Sequence, residues 1–341
     1  MKFLIMKKKL SLFVLAFVIL FSACKKDKMV VPENTTNVYI AGTQDDSITG
    51  NDKSGVWKNG TFTANTITNT NRNHYAYALA VSGNDVYTTG YENTPTVWKC
   101  HVWKNGQLQY SLGDGYSYGN GIAVSGTDVY VAGYAYEPSP LTRYAMLWKN
   151  SNGPVNILAS GANGYIATAI AISGNDVYVG GEENDNGSVW KNGVPLTLNN
   201  AAGCYITGVA VDGVDVYAVG YTPSPLRIRY WKNGNSIDIA TAGTTFANAI
   251  AISNGDVYIA GSDYSGPKAI AKYWKNGVAV TVGDGIRHSK ANAIAIKGAD
   301  VYVAGEVQGA NNISDYATVW KNGQASTVGY ANSSAKAIVV K

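Results

Sequence analysis

Six aspartates occupy one recurring place in the chain: Asp85, Asp128, Asp176, Asp215, Asp256 and Asp300, with Asn37 at the seventh. A ring of carboxylates is a candidate set of cation ligands. Each, however, directly follows a tight turn, where an Asp or Asn side chain accepts hydrogen bonds from nearby backbone N–H groups. Asn does this as well as Asp, so Asn37 favours a structural role. His74, His101 and His288 lie in separate stretches without His-x-x-x-His or Cys-x-x-Cys spacing, so neither a metal site nor a cofactor is expected. No serine is paired in sequence with a plausible histidine base. Recurrent tyrosine and tryptophan could stack on sugar rings. Residues repeated once per unit at mid-strand are better placed to pack between units.

The elements that carry these residues repeat. Tyrosine recurs at 39, 87, 130, 178, 217, 258 and 302, and tryptophan at 57, 103, 148, 190, 231, 274 and 320. From Trp57 to Trp320 the chain advances 263 residues in six steps, about 44 each, the period of propeller blades. Each unit reads as four strands, as in Ala249–Ile252, Asp256–Ala260, a segment ending in Tyr273-Trp274-Lys275, and Val278–Val282. Gly-X pairs such as Gly174-Asn175 predict type II′ hairpins between the first two strands. Asn-Gly pairs such as Asn192-Gly193 predict type I′ hairpins between the last two.

The first unit has no first strand, and Ala335–Lys341 matches the missing one. The prediction is therefore an all-β, seven-bladed β-propeller of four-stranded antiparallel blades. Its ring is closed by the C-terminal strand joining the N-terminal blade, which hides otherwise exposed edges. Residues 37–341 are assigned to this domain. The repeats resemble the β-propeller superfamily. The Asp-Val-Tyr…Trp-Lys-Asn-Gly unit resembles propeller lipoproteins of Bacteroidota-type bacteria, which implies an architecture and an envelope location rather than an activity. Cys100 and Cys204 fall three blades apart, beyond the roughly 7 Å Cα separation a disulfide allows, and are expected to be unpaired.

Lys2, Lys7, Lys8 and Lys9 precede an apolar run from Leu10 to Phe21, too short to span a membrane and suited to a signal peptide over residues 1–23. Phe21-Ser22-Ala23-Cys24 resembles the lipobox of bacterial lipoproteins, which implies an acylated Cys24 as the mature N-terminus, with residues 24–36 as a tether. Without the four leader lysines, the 27 cations fall to 23, equal to the 23 acids. The mature chain is thus neutral by formal count and carries no electrostatic footprint for nucleic acid. Asp46-Ser47-Ile48 resembles a short O-glycosylation motif of Bacteroidota.

One face of the predicted ring repeats its tight turns, whereas the other presents loops that differ from blade to blade, as at Glu137–Arg143 and Thr222–Arg227. The ligand-binding candidates lie there: Tyr75, Tyr77, Tyr116, Tyr118, Asn120, Tyr165, Tyr205, Phe246, Asn248, Arg287, His288 and Asn292. Tyr165, Tyr205 and Phe246 occupy similar places and form one candidate aromatic arc. Tyr77, Asn120, Thr168, Thr207, Asn248, Asn292 and Lys336 open the innermost strands around a neutral funnel. Trp98 stands outside the tryptophan series and is the one candidate for exposure. The expected function is binding or scaffolding, by a monomer, of a protein or glycan partner. The alternative is an envelope lyase or hydrolase acting at the funnel mouth, although the innermost strands carry no acid except Asp212. If Cys24 is lipidated, Cys24→Ala should leave the protein unprocessed or free of the membrane. Mass spectrometry of membrane fractions showing an unmodified residue 24 would overturn this.

Overall fold

The computed structural model describes residues 36–341 except 47–48, 68–71, 139–140, 162–163, 240–242 and 311–312. The leader, Cys24 and most of the tether lie outside the described residues, as do Ser47 and Ile48. Seven antiparallel sheets of four strands follow one another. The innermost strands of blades 2 to 7 are His74–Ser82, Tyr116–Ser125, Tyr165–Ser173, Tyr205–Asp212, Thr245–Ser253 and Ser289–Lys297. Their second strands are Asp85–Asn93, Asp128–Pro138, Asp176–Glu183, Asp215–Pro223, Asp256–Asp263 and Asp300–Gln308. Blade 1 is completed from both ends of the domain: Ser333–Val340 pairs with Val38–Asp45, which continues to Asp52–Lys58 and Thr61–Ala64. The closure inferred from the repeats is thus observed, and no helix occurs among the described residues.

The hairpins follow their sequence signatures. Gly83, Gly126, Gly174, Gly213 and Gly298 take φ between 56° and 60° at the first turns, whereas the residues after them do not adopt positive φ. At the Asn-Gly turns both residues do, as at Asn192 (51°) and Gly193 (83°), which is the type I′ pattern.

Burial explains the repeated aromatics. The seven serial tryptophans are 0–2% exposed. The tyrosine of one blade and the tryptophan of the next meet in a shared apolar cluster, as with Tyr178 and Trp231, Tyr217 and Trp274, or Tyr258 and Trp320. No blade buries these rings alone, so stability resides in the contacts between neighbours. Cys100 and Cys204 are free and buried, as expected. Burial pushes the Cys100 thiol up to about 12.

The innermost strands carry a feature that the repeats did not reveal. Each bears a β-bulge, and the residues left over are Tyr77, Asn120, Thr168, Thr207, Asn248, Asn292 and Lys336. Opposite each bulge stands a glycine of the second strand: Gly90, Gly133, Gly181, Gly220, Gly261, Gly305 or Gly42. A Cβ there would lie 1.8–2.0 Å from a backbone carbonyl oxygen of the innermost strand. Only glycine lets the two backbones approach so closely.

Two outcomes test this construction. Deleting Ala335–Lys341 removes most of the innermost strand of blade 1, and should abolish cooperative melting or cause aggregation; a truncated chain melting like the full one would refute the closure. Gly305→Ala should cost about 1–3 kcal/mol, because backbone or bulge must shift. Gly115→Ala, where a Cβ meets nothing within 4 Å, should leave the melting temperature nearly unchanged.

Candidate functional site

The turn face is chemically saturated. In blade 2, Lys104 Nζ lies 2.7 Å from Asp85 Oδ2 and 5.4 Å from the Tyr87 ring centroid. Asn105 donates from Nδ2 to Asp85 Oδ1 at 2.9 Å and accepts the Val86 N–H at Oδ1. The same four-residue clip recurs around Asp128, Asp176, Asp215, Asp256 and Asp300. The lysine bond first, then the asparagine amide, hold each of these carboxyls below its ordinary range. In blade 1, Asn37 accepts from Asn59 instead. The aspartates are therefore structural, but with a correction. Their partners in the clip are the lysine and asparagine side chains of the adjoining turn, reached across the sheet from the Trp-Lys-Asn-Gly segment.

A second correction concerns serine and histidine, which the fold does bring together. Ser54 Oγ lies 2.9 Å from His74 Nδ1, joining blades 1 and 2, and burial pushes His74 down to about 4. Ser111 is the cross-strand neighbour of His101, with Oγ 2.8 Å from Nδ1. His101 Nε2 meets Glu92 Oε2 at 3.0 Å, and Arg72 holds the other carboxylate oxygen at 2.9 Å. Strand register makes the Ser111–His101 pair and the packing of blade 2 on blade 1 makes Ser54–His74; sequence spacing displays neither. Gly115-Tyr116-Ser117-Tyr118-Gly119 has the spacing of a nucleophile elbow, but it runs along an innermost strand rather than from strand to helix. Ser117 is buried, donates to Leu112 O and accepts the Cys100 N–H.

All seven bulged residues line one axial cavity of about 240 Å³. Several are already engaged in joining blades. Asn120, Asn248 and Asn292 each donate from Nδ2 to a carbonyl of the next innermost strand, at 2.7–2.9 Å, and Thr168 Oγ1 donates likewise to Ile206 O. The cavity is below the roughly 300–1,000 Å³ of typical small-molecule sites. The larger opportunity is on the rim.

There, Tyr75, Tyr77, Tyr116 and Tyr118 join Tyr91, Trp98, Tyr134 and Tyr136 in a continuous run of rings across blades 2 and 3. Tyr91 contacts Tyr75, Tyr77, Trp98 and Tyr118, with centroids 4.8–6.3 Å apart. Tyr116 stacks on Tyr136 at 4.6 Å and Tyr118 on Tyr134 at 4.5 Å. Trp98, 38% exposed, meets Tyr116 and Tyr118 edge-on at 5.9 and 5.6 Å. Burial above all raises the hydroxyls of Tyr75, Tyr77 and Tyr118 far above their ordinary range, so these three rings keep their protons.

A second row links Tyr205 to Tyr221 (5.2 Å), Tyr221 to Phe246 (5.0 Å) and Phe246 to Tyr264 (5.3 Å). Tyr165 belongs to neither row among the ring contacts described; its ring lies against Gly161. Arg287 pairs with Asp284 at 2.7 Å, and His288 Nδ1 accepts the Ala269 N–H at 3.1 Å.

Sequence reasoning missed Tyr91, Tyr134, Tyr136, Tyr221, Tyr264 and Glu182. A signal for four of them was present. The residue after the bulge-facing glycine differs in type between blades, as Thr43, Tyr91, Tyr134, Glu182, Tyr221, Ser262 and Glu306, within otherwise repetitive strands.

No protein-family model matches the chain, and neither does any curated protein. Among solved structures, a Lactobacillus plantarum protein is similar over 89% of this chain and 99% of its own, with 13% identity and a TM-score of 0.50. The Pyrococcus horikoshii acylaminoacyl peptidase is similar over 87% of this chain but only 51% of its own, with 11% identity and a TM-score of 0.52. The Myceliophteria thermophila Cps50 (Swd1) β-propeller domain shares 11% identity over 75% of this chain and 87% of its own, with a TM-score of 0.43. At such identities the likeness concerns the fold alone; it is by its own seven four-stranded sheets that the chain is a seven-bladed β-propeller.

Proposed function

We propose that this chain is a lipid-anchored cell-envelope binding protein of the Bacteroidota lipoprotein type, holding a protein or glycan partner by the loop face of its propeller. The carrying observation is the eight-ring platform around Trp98, which is exposed where the seven serial tryptophans are buried. Tyrosine and tryptophan provide large, stiff contact area at low entropic cost and dominate binding energy where they cluster. The rings are neutral, as is the mature chain, which favours a partner recognised by stacking and hydrogen bonding over one recognised by bulk charge. The turn face has its carboxylates, lysines and asparagine amides engaged with one another. The leader and Cys24 supply the reading of location.

The test is capture of envelope proteins, together with a glycan array, using the full chain in detergent. Trp98→Ala and Tyr116→Ala should each weaken the captured interaction by about 1–2 kcal/mol or more, roughly tenfold, without lowering the melting temperature. Asn192→Ala on the turn face should leave affinity unchanged. Binding lost through Asn192→Ala and indifferent to both platform changes would place the site on the other face.

A further inference from the structure

The second strands hold three strongly buried carboxylates, Glu92, Glu182 and Glu306, and two of them have cations. Glu92 has Arg72 and His101. Glu306 has Lys290 at 3.1 Å and Lys336 at 3.6 Å, with Ser334 also donating to it. Glu182 is only 8% exposed and has no hydrogen-bond or ion-pair partner among the described residues.

The internal repeat shows what this position accepts. Glu182 and Glu306 are equivalent, each following the bulge-facing glycine of its blade. Glu306 lies directly across from Lys290 on the innermost strand, whereas Glu182 lies across from Ile166. Its second cation, Lys336, is the bulged residue of the next blade. The bulged residue following blade 4 is Thr207, whose hydroxyl donates to Val219 O. Blade 7 therefore surrounds its carboxylate with two ammonium groups where blade 4 offers a methyl-bearing side chain and an engaged hydroxyl.

Glu182 shares a strand face with Gly180, where a Cβ would meet Ile206 and Val209 of blade 5, so it projects toward that blade. Tyr221 stands there as the first link between Tyr205 and Phe246. Aromatic faces and a carboxylate together form a favourable environment for an organic cation.

We propose that Glu182, with the ring row of Tyr205, Tyr221 and Phe246, forms a subsite on the rim between blades 4 and 5 that accepts an organic ammonium group of the bound partner. A lysine side chain and a quaternary ammonium share this chemistry. The charged groups acting on Glu182 are Asp185 in the following turn and Arg143 of blade 3, which forms no ion pair with it; Tyr221 faces it from blade 5. Burial first, then Asp185, pushes Glu182 up to about 7, while Arg143 opposes them. An ammonium ligand stays charged across this range and needs the carboxylate form. Its affinity should therefore be full above about pH 8 and fall as pH drops through 7.

The inference takes the loop face to be the binding face, but its test uses neither Trp98 nor the natural partner. It can therefore fail or succeed independently of the platform. The full chain in detergent is titrated with n-butylammonium, a lysine surrogate, with tetramethylammonium, and with neutral n-butanol, using ligand-observed NMR. At least one cation should bind saturably near pH 8 and about tenfold more weakly near pH 5.5, and butanol should not. The tighter cation identifies the source. Glu182→Gln should remove the binding. Ile166→Lys, which installs the ammonium found opposite Glu306, should block it while leaving the fold intact by circular dichroism. Cation binding unaffected by both changes or by pH, butanol binding as tightly, or no saturable cation binding near pH 8 would each overturn the subsite.

Discussion

The close approach between a bulged innermost strand and one glycine per blade governs the rest of the architecture. With no Cβ in the way, a carbonyl of the innermost strand sits against the glycine, and the extra residue beside it lines the axis. At four of the seven bulges, Asn120, Thr168, Asn248 and Asn292, the extra side chain reaches a carbonyl of the neighbouring innermost strand and fastens the ring near its axis. Farther out the same glycine places the next residue on the rim. There the chain carries tyrosine in three blades and glutamate in two. One steric constraint thus both closes the axis and fixes the positions where blades are free to differ.

A different balance governs the turn face. Lysine, aspartate, asparagine and tyrosine form an exposed clip in which solvent screens the ion pair, so each pair contributes little by itself. The value of the clip is directional. Asn must adopt positive φ to turn the chain, and its amide simultaneously bonds the aspartate and the start of the second strand. Turn chemistry and strand register are specified by the same four residues, which accounts for their repetition better than a cation site does.

Fold and closure were legible because they are written as repetition. Turn pairs, tryptophan spacing and the displaced strand Ala335–Lys341 each carry a local signal with one physical meaning. The rim was only partly legible. Tyr75, Tyr116 and Tyr118 could be placed on the loop face from strand order alone. Their union with Trp98 depends on cross-strand register and on the ring of the adjoining blade. The bulges were hidden because one extra residue does not disturb a pattern of small and branched side chains such as Ala-Asn-Ala-Ile. The glycine opposite was their trace. Ser111–His101 and Ser54–His74 were invisible for a similar reason, since neither pair is close in sequence.

Glu182 shows how a repeat can identify a departure without any second protein for comparison. Equivalent positions share backbone geometry, neighbouring strands and depth, so a difference in side-chain pairing cannot be assigned to a difference in fold. At Glu306 burial is opposed by two lysines, and the carboxyl stays below its ordinary range; at Glu182 burial dominates, and the carboxyl rises to about 7. The desolvation of Glu182 is a cost that folding bears and that an incoming cation would offset, converting an unfavourable buried group into binding free energy. Stability and recognition draw on the same residue in opposite senses. A position optimised for folding alone would carry the lysines of blade 7.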